Sequence, residues 1–86
     1  MRVTVIFDDS TVYVDGVARH VVLPPHDTNL RAIQWNGQHG DVEVRVGAGF
    51  SFRDFGLLDV FIKAWERAAP QPVAAPGQPA TGVEEM

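Results

Sequence analysis

The chain predicts a small α+β domain: an antiparallel β-meander, then a β-hairpin, about five strands in all, with one C-terminal helix packed on the sheet. Three observations carry this. Apolar residues alternate with a period of two in the runs that begin at residues 2, 11, 30 and 41, as half-buried strands require. Asp15-Gly16 and Asn36-Gly37 interrupt those runs with the strongest short-range hairpin chemistry. Beyond residue 54 the spacing becomes helical, with Phe55, Leu58, Phe61, Ile62 and Trp65 on one broad stripe.

The first strand runs over 2–7, with Val3, Val5 and Phe7 on one side and Arg2, Thr4 and Ile6 on the other. Asp8-Asp9-Ser10 is turn chemistry leading to a strand at 11–14, and a type I′ turn at Asp15-Gly16 leads to a third at 17–22. With turn centres at Asp9-Ser10 and Asp15-Gly16, Phe7 faces Val12 and Val14 faces Val17. Val3, Val5, Phe7, Val12, Val14, Val17 and Val21 then share a face on which Arg19 is the only intruder.

Pro24 and Pro25, followed by Asp27-Thr28-Asn29, stop the meander because proline cannot donate to a ladder. The second hairpin pairs 30–35 with 41–46, placing Val42, Val44 and Val46 inward and Glu43 and Arg45 outward. Gly47-Ala48-Gly49 ends the sheet. Ser51 fits the capping-box spacing as helix N-cap, and Asp54 is the alternative cap of a shorter helix. Residues 1–69 make a single domain. Pro70 ends the helix, and the Pro/Ala/Gly-rich stretch 70–86 reads as a disordered tail.

At 86 residues the chain buries only about 60% of the surface its unfolded form exposes, so its core is thin. It has no cysteine, which removes disulfides, thiolate metal sites and thiol nucleophiles together. The apolar runs are too short to span a bilayer, and Asp8-Asp9 interrupts the first before a signal-peptide core forms. The expected setting is the host cytoplasm or a virion, without secretion by a signal peptide and without a membrane. The net charge is −4, and the arginines are scattered rather than clustered, so no basic face is offered to nucleic acid.

Ala32-Ile33-Gln34-Trp35-Asn36-Gly37, then Gly40-Asp41-Val42-Glu43, preceded by Tyr13-Val14-Asp15-Gly16 and followed by Leu57-Leu58 and Ala64-Trp65-Glu66, resembles a group of small phage and prophage proteins. In that group an IQW-D/N-G hairpin follows a V-x-V-D-G turn, and a helix ending in AWE precedes a Pro-rich tail. Similar blocks open some phage tail-fibre assembly proteins. The resemblance covers roughly residues 12–69. Here Asp41-Val42-Glu43 stands where the group more often has Gly-Glu-Ile-Glu, and the stretch before the helix is short. The resemblance implies a phage-encoded accessory or tail-associated protein, and no reaction.

Candidate chemistry is sparse. His26-Asp27 and His39-Gly40-Asp41 carry ligand-type side chains, but no spacing fixes two ligands on one element, and no metal or cofactor is expected. Ser10 and Ser51 are explained by turn and cap chemistry, without a nucleophile-elbow context. Gly47-Ala48-Gly49 lacks the third glycine and the βαβ setting of a dinucleotide loop. Trp35 and Trp65 are read as core residues rather than as an exposed recognition pair.

Leu57, Val60 and Ala64 form a second, weakly apolar side of the helix and are the candidate interface. The expected role is non-enzymatic: structural or assembly work through contact with a phage tail component or with a second copy as a homodimer. The alternative is a small-ligand or peptide-binding module that uses the 24–29 loop and the 36–40 hairpin tip.

Overall fold

The computed structural model describes residues 1–68, so the expected disorder of 70–86 lies outside the described residues. Six strands form one antiparallel sheet: β1 (Val3–Ile6), β2 (Thr11–Val14), β3 (Val17–His20), β4 (Leu30–Trp35), β5 (Gly40–Val44) and β6 (Phe50–Phe52), in spatial order β3-β2-β1-β4-β5-β6. The α+β architecture is as expected. The meander and the second hairpin are one sheet because β1 pairs with β4, setting Val3 opposite Trp35 and Val5 opposite Ile33. A 3-10 turn at Phe55–Leu58 then leads into α1 (Asp59–Arg67).

Because strand side chains alternate, the registers define two faces. Rows running Val14, Val3, Trp35, Gly40, Phe52 and Val12, Val5, Ile33, Val42, Phe50 lie on the face that α1 covers. Tyr13, Thr4, Gln34, Asp41 and Ser51 form a row on the opposite, open face. Val3, Val5, Val12 and Leu58 are fully buried, and the Phe61 ring meets Phe7 edge-on at 5.8 Å between centroids. Each buried side chain of this size contributes about 1.5–3 kcal/mol, so the four form the energetic centre.

The type I′ turn is as expected: Asp15 and Gly16 have φ of 48° and 85°, and Val14 faces Val17. The first hairpin differs. Val5, not Phe7, faces Val12, because Phe7–Ser10 form a wider loop in which Ser10 takes a φ of 50°. That two-residue shift preserves the parity of the strand, so Val3, Val5, Phe7 and Val12 still face the core. The third strand ends at His20 rather than at 22, and the fifth ends at Val44 rather than at 46. Val46 is exposed, held instead by a pair of hydrogen bonds between its backbone and the Asn29 side-chain amide.

Gly47-Ala48-Gly49 does not end the sheet. Gly47, at φ 98°, reverses the chain, and Gly49 lies against the Val42 carbonyl where a Cβ would collide, so a sixth strand is delivered onto β5. Ser51 belongs to that strand and is not a cap; its hydroxyl donates to Asp41 Oδ1 at 2.7 Å. Asp54 is the cap, its Oδ1 accepting from the Gly56 N–H at 2.9 Å.

Candidate protein–protein interface

The two edges of the sheet are treated differently. On β3, Trp65 Nε1 donates to the Val17 carbonyl at 2.8 Å, the Arg19 guanidinium stacks 3.8 Å from the Trp65 ring centroid, and Arg19 Nη1 donates to the Trp65 carbonyl at 2.9 Å. Arg19, the intruder on the apolar face, is therefore the base on which the end of α1 sits. Trp65 is half-buried at this edge, whereas Trp35 is buried as expected. These contacts lie at one end of β3, whose residues are otherwise exposed or half-buried.

At the other edge, β6 pairs with β5 and presents Phe50-Ser51-Phe52 outward. No charged residue lies between Val46 and Phe52. Phe52 packs its ring over Gly40, where any Cβ would collide with it, and reaches Trp35 at 5.6 Å between centroids. Phe55 follows onto Trp35 at 5.2 Å. Phe50 and Leu57 are each 58% exposed, and Val60 is 53% exposed. Of the expected interface, Leu57 and Val60 thus face solvent. Ala64 does not: it is half-buried against the core, because Phe61, Ala64, Trp65 and Ala68 stand at i, i+3, i+4 and i+7 of the same stripe. Phe50 was missed because its strand was, although the alternation of Phe50 and Phe52 around Ser51 was the available signal.

On the open face beside this edge lies a depression of about 340 Å³ lined by Ala32, Gln34, Asp41, Glu43, Gly47 and Gly49. Its carboxylates come from β5. Asp41 accepts from Ser51 and lies 3.7 Å from His39 Nε2. Serine, aspartate and histidine therefore meet, but in an order that does not make a catalytic triad: the carboxylate stands between the hydroxyl and the imidazole, where a general base would have to be. Glu43 and Arg53 have no ion-pair partner among the described residues.

The other histidine pair is elsewhere. His26 stacks on Phe7 at 4.7 Å with Nδ1 2.9 Å from the Pro24 carbonyl, whereas Gly37, beside His39 in the hairpin loop, lies against the Met1 carbonyl. The 24–29 loop and the 36–40 tip therefore occupy opposite ends of the sheet and do not line one pocket. Among the described residues no three His, Asp or Glu side chains converge as a metal site would need, and no helix is long and apolar enough to cross a membrane. No protein-family model, curated protein or solved structure matches the chain.

Proposed function

We propose that this protein acts by protein–protein contact rather than by catalysis, as a phage- or prophage-encoded accessory or tail-associated protein. The observation that carries the reading is an uncharged edge strand with Phe50 exposed on it and Leu57 and Val60 exposed just beyond it. Exposed edges and apolar groups of this kind mark association surfaces. The resemblance of the IQW-N-G hairpin and the AWE helix end to small phage proteins supports the phage setting.

Size-exclusion chromatography with light scattering, run alongside a thermal-shift screen, tests the contact role. The expected result is association, with itself or with a co-expressed tail protein, that Phe50→Asp or Leu57→Asp weakens while the melting curve stays cooperative. A monomer stabilised by a small metabolite, and indifferent to both substitutions, would refute it.

A further inference from the structure

We propose that β6 pairs antiparallel with β6 of a second copy about a two-fold axis through Ser51, and that Arg53 of each copy enters the acidic depression of the other. This deepens the contact role and rests on it. A two-fold axis perpendicular to a sheet sets residues of like facing opposite one another, so the axis must pass through a residue. Centred on Ser51, it sets Phe50 of one copy against Phe52 of its partner, twice, and engages all three residues of the strand. Centred on Phe52 it would oppose Phe50 with Asp54, and centred on Arg53 it would oppose two guanidinium groups. Centred on Phe50 it would set Phe52 against Ala48 outside the strand, so only the first register engages all three strand residues.

The charges follow from the same register. Asp41 pairs with Ser51 and Val42 with Phe50, where the ladder ends; Gly49, just before the strand, lies against the Val42 carbonyl with the Glu43 Cα close by. Extended one residue beyond the strand at each end, the register sets Arg53 opposite Gly49 of the partner, on the open face. Glycine presents no side chain there, and it is held to glycine by the Val42 carbonyl. The arginine of one copy therefore has a clear path over Gly49 to Glu43 of the other, a span of two strand spacings, about 9.6 Å between backbones, which the two long side chains bridge. The depression lined by Gln34, Asp41, Glu43 and Gly49 is the space it enters. Two cation–carboxylate contacts form per dimer, one at each end of the ladder. On the covered face, Phe50 of each copy gains Phe52 of the other as a neighbour, continuing the row that begins at Trp35.

The chain has no cysteine, so Ser51→Cys places a unique thiol on the axis, where paired Cα atoms fall about 4.5–5.5 Å apart, within disulfide range. Ser51→Cys is expected to give a reducible dimer under mild oxidation, at least tenfold faster than Thr28→Cys in an exposed loop. Sedimentation equilibrium is expected to show Glu43→Arg and Arg53→Glu each weakening the dimer about tenfold, and the combined reversal restoring it, with melting curves confirming that every variant is folded. A single 9.4 kDa species at millimolar concentration overturns the proposal. So does a dimer whose cross-linking is no faster at 51 than at 28, or whose affinity ignores the charge reversals. The broader contact role would survive either result if a tail protein were held through Phe50 and Leu57.

Discussion

Trp65 joins α1 to the β3 edge by three separable contacts, and its truncation is the sharpest test of how this thin domain is held together. The indole N–H bond to the Val17 carbonyl is 2.8 Å long, and Arg19 lies over the ring at 3.8 Å while donating to the Trp65 carbonyl. Trp65→Ala removes the indole hydrogen bond at about 1 kcal/mol, the cation–π contact at about 1 kcal/mol, and the apolar burial of a half-exposed ring at about 1–2 kcal/mol. It also uncovers the Arg19 guanidinium, whose Nε has no hydrogen-bond partner, while leaving its bond to the backbone carbonyl of residue 65 in place. The expected loss is about 3–4 kcal/mol, a large part of the stability of a domain this size. Trp65→Phe keeps a stackable ring and should lose only about 1 kcal/mol.

Urea denaturation followed by far-ultraviolet circular dichroism measures both variants on a signal that does not depend on the tryptophan itself. A loss below about 1 kcal/mol for Trp65→Ala would show that Leu58 and Phe61 alone hold the helix, and the reasoning about the β3 edge would be wrong.

Three further outcomes follow from other parts of the fold. Gly40→Ala drives a Cβ into the Phe52 ring and should cost about 1–3 kcal/mol while releasing β6, seen as faster amide exchange at residues 50–52; unchanged exchange there would contradict the packing. Asp54→Ala removes the cap on the Gly56 N–H and should lower stability by about 1 kcal/mol in urea denaturation, whereas Asp54→Asn, which keeps the acceptor, should lose less. The hydrogen bond from Arg45, reinforced by its charge, holds the Asp8 carboxyl below the ordinary aspartate range. A depressed folded pKa means that the contribution is present above the unfolded value of about 3.9 and is lost as pH falls below it, so Asp8→Asn should flatten the stability profile on that acid limb; a limb of unchanged slope in a pH titration would count against the pair.

The alternation of residues with period two was enough to read β1, β2, β4 and most of β5, and the core faces survived even where a register did not. The β1–β2 pairing was misplaced by two residues because Ser10 adopts positive φ without the glycine that would signal it. β6 went unread for a different reason: three residues are too few for a period, and the glycines before it look like an ending when they form the bend into a strand. At the candidate surface, Leu57 and Val60 were legible from helical spacing. Ala64 was not, because the apolar segment begins with a 3-10 turn, whose 3.0 residues per turn rotate Phe55 and Leu57 out of phase with α1. Arg19 looked like an error in the pattern, and only the arrival of Trp65 from 46 residues away explains it.

The asymmetry of the two edges also bears on how far association can go. A sheet with two open edges that paired through either would lengthen without limit, which is the route to fibres. Here Arg19 and His20 put charge-bearing and polar side chains along β3, and Trp65 stacks on Arg19 at 3.8 Å. The proposed pairing through β6 leaves the two β3 edges outward, each carrying Arg19 and His20. If those side chains stop further pairing, a twelve-strand dimer is the end point of that association. His20→Val, which removes a polar side chain from the β3 edge, makes the converse visible. If polar side chains are what stop growth, that variant should add species larger than the dimer in a sedimentation-velocity run, and a distribution identical to the parent's would show that they are not the barrier.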